Sequence, residues 1–234
     1  MGKWLICAAL ALGAPARGQT ARELNAEGFK LYRRGKFPEA LGTFQRAFQK
    51  DQTLAIAHYN YAATLGVLRK AGHVCELDAY RPVILDHLER AIALDPRRRA
   101  RMQKDPDLDP IRDTVRYQQL LGRSLARPQD ARAFIESVSW FGPGQGAFGS
   151  MIGLTFKPGG EGVLWRREMT NEDAAPRTVS YPGRARFEGA RVTLTLSTPL
   201  DGRAEFEGRL TPSGSLEFPE PLGLLTDQLS ECDA

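Results

Sequence analysis

Cysteine and histidine are scarce in this chain of 234 residues, at three each. That count excludes a disulfide-dense scaffold and leaves little for a metal site, which wants three or four donors. His58, His73 and His87 show no metal-ligand spacing beyond His73-x-Cys75, so neither a metal nor a cofactor is expected. Beyond the first eighteen residues no apolar run is long enough to cross a bilayer. There is no G-x-S-x-G elbow, no phosphate loop ending in Lys-Ser/Thr, and no Cys/His pair set between strand and helix signals. No catalytic set is therefore expected, and the chain does not read as an enzyme. Aromatic and basic residues do not interleave as a nucleic-acid surface requires.

What is present is the composition of a folded chain, 42% hydrophobic and 26% charged. Residues 1–18 read as a secretory signal. Lys3 forms a short basic region, Trp4 to Leu12 an apolar core, and Ala14, Ala16 and Gly18 supply small residues for cleavage after Ala16 or Gly18. Export to the periplasm or beyond removes Cys7 and leaves Cys75 and Cys232. An even count in an oxidising compartment suggests one disulfide, against two unrelated thiols. Charge is uneven. Residues 19–132 carry 21 basic and 14 acidic side chains, whereas residues 133–234 carry 9 and 14. The halves can attract each other, or each can face an oppositely charged partner.

Residues 27–51 predict two helices joined at Arg34-Gly35-Lys36, with Thr20 as the first N-cap and Pro38 in the second first turn. Small Gly28, Ala40 and Ala47 alternate with bulky Leu31, Phe37 and Phe44, as closely crossing helices require. The pattern repeats. An offset of 34 carries Ala21, Gly28 and Leu31 onto Ala55, Ala62 and Leu65. An offset of 44 carries Ala40, Phe44, Ala47 and Asp51 onto Ile84, Leu88, Ala91 and Asp95. The second unit thus holds a ten-residue insertion, about 71–80, which contains His73 and Cys75.

The series Gly28, Leu31, Gly35, Ala40, Phe44, Ala47, with Ala62, Ala91 and Asp95-Pro96 in the second copy, resembles the tetratricopeptide repeat over about residues 21–96. The resemblance implies stacked helix pairs whose concave face binds an extended peptide or partner protein. Asn25, Phe29, Tyr32, Tyr59 and Asn60 are the candidate partner-binding residues there. Phe29 stands where carboxylate-clamping members carry an asparagine, so that clamp is not carried over.

Two units need a cap, because each buries its apolar face against neighbours. Residues 97–127 fit one. Arg97, Arg98, Arg99 and Arg101 read mainly as a solvated helix end, with contact to an anionic surface as the other reading. The run Asp105-Pro106-Asp107-Leu108-Asp109-Pro110 lacks the Gly and terminal Glu of an EF-hand, and it reads as a turn before a helix at 114–121 capped by Asp109 or Asp113. That helix is expected to turn Val115, Tyr117, Leu120 and Leu121 to the repeat core.

After a linker the period becomes two. Ile152/Leu154/Phe156, Val163/Trp165, Val192/Leu194/Leu196 and Ala204/Phe206/Gly208/Leu210 alternate with polar residues, as in seven or eight short antiparallel strands. Turn signals fall at 157–160, 181–183, 188–189, 201–202 and 213–214. The glycine-rich run from Trp140 reads as a loop. Glu205 and Glu207 are expected in an ion lattice with Arg203 and Arg209.

The expected fold class is α+β: helical tetratricopeptide-like hairpins followed by a small antiparallel β barrel or sandwich. Residues 1–18 form the signal, 19–121 the helical domain, 122–132 the linker and 133–234 the β domain. The expected function is an exported protein–protein interaction scaffold. The alternative is a barrel that holds a small apolar ligand, although its large inward residues favour a filled core.

Overall fold

The structure is a computed structural model that describes residues 19–144, 150–157, 159–168 and 177–229. The expected signal, residues 1–18, and Cys232 lie outside the described residues. The class is α+β, with helices first and an eight-stranded antiparallel sheet after them.

Helix α1 (Ala21–Arg33) begins at a capping box. The Glu23 amide donates to Thr20 Oγ1 at 3.2 Å, and the Thr20 amide donates to the Glu23 carboxylate at 2.7 Å. Gly35, at φ +73°, closes it, and α2 (Phe37–Lys50) starts with Pro38 in its first turn. A methyl on Gly28 would stand 2.8 Å from the Phe44 ring, so glycine is what lets these helices cross this closely.

Helices α3 (Ala55–Lys70) and α4 (Arg81–Leu94) form a second hairpin around the 71–80 stretch. The repeat offset reappears in the backbone. Asp51 ends α2 at φ −143°, ψ 97°, and Asp95 ends α4 at φ −144°, ψ 94°. Their amides donate to Ala47 and Ala91 carbonyls at 3.0 and 2.9 Å. Short elements follow: α5 (Arg98–Met102), a 3-10 turn (Pro106–Ile111) and α6 (Val115–Leu120). Thr114, rather than Asp109 or Asp113, caps α6. Tyr117 of α6 enters the helical core, but Val115 enters the β core, so this single turn and a half of helix joins the two.

The stretch read as a linker and the start of the β half contains α7 (Pro128–Ser137). Its Ala131, Phe134 and Ile135 pack inside the β core, and the Trp140 indole N–H donates to the Ile135 carbonyl at 3.1 Å.

The strands are β1 (Trp140–Pro143), β2 (Met151–Phe156), β3 (Glu161–Glu168), β4 (Arg177–Glu188), β5 (Arg191–Leu200), β6 (Arg203–Leu210), β7 (Leu216–Glu217) and β8 (Leu224–Leu225). Each pairs antiparallel with the next. Phe141 and Thr226 exchange backbone hydrogen bonds of 2.6 and 2.7 Å, so the meander nearly closes into a barrel.

Three local readings are corrected. Trp140-Phe141-Gly142-Pro143 is strand, paired with β2, rather than loop. Tyr181-Pro182-Gly183 is not a turn, because β4 runs through it. Strand β5 is in register with β4 only from Gly183 to Glu188, so Pro182 sits where one flank of the strand is unpaired and a missing N–H is tolerated. In β3 the buried residues are Gly162 and Leu164, whereas Val163 and Trp165 lie half-buried on the outside. There the Trp165 indole covers Gly153, where a Cβ would fall 2.1 Å from the ring.

Candidate functional site

Four of the five residues expected to meet a partner are engaged with the chain itself. Asn60 Nδ2 donates to Asn25 Oδ1 at 3.0 Å, tying α3 to α1. Tyr59 is fully buried, and its hydroxyl donates to Asp105 Oδ2 at 2.8 Å. The Tyr32 hydroxyl donates to the Asp107 carboxylate. Only Phe29 is largely free. It is 41% exposed and lies parallel to Tyr32 with ring centres 6.3 Å apart.

The face is thus filled by residues 105–111. Asp105 caps the 3-10 turn by accepting from the Asp107 amide at 3.2 Å, which leaves its other oxygen for Tyr59. Leu108 and Ile111 are fully buried among α3 and α4 side chains. Gly66 makes the close approach possible, since a Cβ there would stand 2.0 Å from the Asp107 carbonyl oxygen. Lys70 donates to the Pro106 carbonyl and to Asp109, the latter at 3.2 Å. Arg112 gathers the ends, donating to Asp109 at 2.7 Å, to the Gln103 and Asp105 carbonyls at 2.7 and 2.9 Å, and to the Tyr117 hydroxyl at 2.9 Å.

Electrostatics follow from this packing. Burial, then donation to a carboxylate, pushes the Tyr32 and Tyr59 phenols well above the usual tyrosine range. Burial also raises the Asp107 carboxyl, against the lowering effect of the Tyr32 hydrogen bond. What remains open is a cavity of about 30 Å³ bordered by Phe29, Tyr32, Asn60, Arg101, Asp105 and Asp107. That is room for a water or the tip of a small side chain.

The basic cluster is likewise engaged within the chain. Arg97 and Arg98 pair with Asp95 at 2.8 and 3.1 Å, and Arg99 donates to the Leu120 carbonyl at 2.8 Å. Arg101 reaches Asp105 at 3.7 Å and lies 5.0 Å over the Tyr59 ring. In the β half Arg209 pairs with Glu217 at 3.3 Å and Arg203 donates to the Glu205 carbonyl, and among the described residues no ion pair draws Glu205 or Glu207 into the expected lattice.

The barrel interior is packed by Trp140, Leu154, Leu164, Leu194, Phe206 and Leu225, with Phe134 of α7 among them. A cleft of about 530 Å³ lies instead between the helices and the barrel, bordered by Pro82, Leu85, Val115, Gln119, Asp227 and Leu229. Asp227 crosses it to accept the Val115 amide at 2.8 Å.

Sequence reasoning missed one cluster. His58 on α3 and His87 on α4 meet with their Nδ1 atoms 3.0 Å apart, against Phe48 and Tyr61. The pair is 29 residues apart, and no local spacing announces it. Among the described residues no group of three or more His, Cys, Asp or Glu is placed to hold a metal, and no helix is long and apolar enough to cross a membrane. No family model, curated protein or solved structure matches the chain.

Proposed function

We propose that the protein is an exported protein–protein interaction scaffold whose two helical hairpins are tetratricopeptide-like units that grip short, aspartate-bearing segments. One observation carries the reading. The α1/α3 face already holds such a segment, residues 105–111, through two tyrosine hydroxyls, a lysine and a glycine-sized opening. In this reading the chain's own segment fills the floor of the groove, and the partner engages the rim left open at Phe29. The matching backbone at Asp51 and Asp95 supports the repeat assignment.

The test is site-specific photocrosslinking at Phe29 in the native cell envelope, with a probe at exposed Gln49 as control. A discrete crosslinked protein from position 29 and none from 49 is expected. Equal labelling from both, or none from either, overturns the reading.

Export and a Cys75–Cys232 disulfide belong to the same proposal. Cys75 lies in the 71–80 stretch between the two helices of the second hairpin. The chain reaches Leu229 in the cleft beside Tyr80, and three further residues, those to Cys232, have a maximum reach of about 10 Å. A bond there closes a loop of roughly 150–160 residues, for which loop entropy gives about 4–5 kcal/mol at most. Intact mass with and without reductant before alkylation tests it. Two thiols alkylating without reductant contradict it.

A further inference from the structure

Two imidazoles whose Nδ1 atoms face each other at 3.0 Å need one proton between them. The surrounding groups decide where it sits. His58 Nε2 lies 3.2 Å from the Gln52 carbonyl, which only accepts, so that nitrogen carries the hydrogen. Neutral His58 then accepts at Nδ1, and His87 donates from its Nδ1. The rings lie in a largely apolar setting. Phe48 of α2 stacks on His58 at 4.8 Å and approaches His87 at 4.9 Å, while Tyr61 of α3 lies 4.5 Å from His87.

The charged groups acting on the pair are few. From α4, Arg90 acts against protonation of His58, and Asp86 favours protonation of His87. Asp78, in the 71–80 stretch, acts on Tyr61. Helix α2 contributes the Phe48 ring, and Gln52 its carbonyl.

We propose that His58 and His87 form an acid-sensitive latch between α3 and α4, closed while their shared hydrogen bond is neutral and weakened as the imidazoles gain charge. A first extra proton enters at His87 Nε2; the Nδ1 bond persists, but the charge sits in a partly buried site and costs stability there. A second puts N–H against N–H with no acceptor and drives the rings apart. His58 directly precedes Tyr59, so its displacement is transmitted to the grip on Asp105.

The direction of the pH effect follows from burial. Burial, then the neighbouring His58, holds His87 down at about 4, and burial lowers His58. The folded chain therefore binds protons less readily than the unfolded chain, where histidine titrates near 6.5. The latch contributes fully above about pH 6.5, and its contribution is lost as pH falls towards 4. At pH 5 the folding constant drops by about 10-fold for His87 alone, allowing for its partial exposure.

The test compares urea unfolding of the wild-type protein, His87→Asn and His73→Asn at pH 7 and pH 5. Asparagine keeps an N–H donor towards His58 but does not titrate there. Wild type and His73→Asn are expected to lose about 10-fold more in folding constant than His87→Asn. An equal loss in all three overturns the proposal. Should His87→Asn fail to fold, a nitrogen-15 titration of the wild-type imidazoles decides. A His87 Nδ1–H tautomer with protonation only below about pH 5 supports the latch, and titration of both rings near 6.5 refutes it.

Discussion

Replacing Gly66 by alanine separates helix propensity from packing. In an exposed helix interior, Gly→Ala gains up to about 1 kcal/mol. At Gly66 the added carbon would stand 2.0 Å from the Asp107 carbonyl oxygen and 3.0 Å from its carbon, and both are backbone, so no side chain can swing away. Relief requires lifting residues 105–111 from α3. That exposes part of Leu108 and Ile111, each worth about 1.5–3 kcal/mol when buried, and strains the Tyr59 and Tyr32 bonds. Allowing for partial relaxation, Gly66→Ala is expected to destabilise by about 2 kcal/mol net. Gly42→Ala supplies the control. Gly42 is exposed in α2 and a Cβ there meets nothing within 4 Å, so it should stabilise by about 0.5–1 kcal/mol. Urea midpoints for both variants measure the difference. Gly66→Ala as stable as wild type, or both variants moving the same way, would refute the reasoning.

Other substitutions probe single contacts. Thr20→Ala removes the capping box of α1 and should cost about 1 kcal/mol in the same unfolding assay. Tyr59→Phe leaves Asp105 with the Asp107 amide and Arg101, so about 1–2 kcal/mol is expected, together with faster proteolysis near residue 105. Asp227→Ala strips the acceptor from the Val115 amide and should cost about 1 kcal/mol, read from the denaturation midpoint, because it unlinks α6 from the barrel.

The helical hairpins were legible because every local signal agreed. Thr20, Gly35, Pro38 and the small-bulky alternation of 28–47 all pointed to the same two helices, and the 44-residue offset reached as far as matching Asp51 and Asp95. Helix α7 carried an equally clear signal, Ala131, Phe134, Ile135 and Val138 at helical spacing, but the preceding Gly122–Asp130 composition drew the reading towards linker. In β3 alternation misled. Trp165 is large and apolar, yet it lies outside, where it covers Gly153 while Gly162 and Leu164 turn inward. The candidate face was legible as a list of residues but not as an occupied groove. Tyr32–Asp107 and Tyr59–Asp105 span 75 and 46 positions, and His58–His87 spans 29, separations on which local periodicity carries no information.

The groove itself can be tested by complementation in trans. Asp105→Ala with Leu108→Ala weakens the chain's hold on its own segment while leaving Tyr32, Tyr59 and Gly66 intact. A synthetic peptide of residues 105–112, titrated calorimetrically, should bind this double variant saturably and leave the wild-type protein untouched, since the tethered segment competes at an effective concentration on the order of millimolar. Binding to neither protein, or equal binding to both, would contradict a groove built to grip a short aspartate-bearing segment.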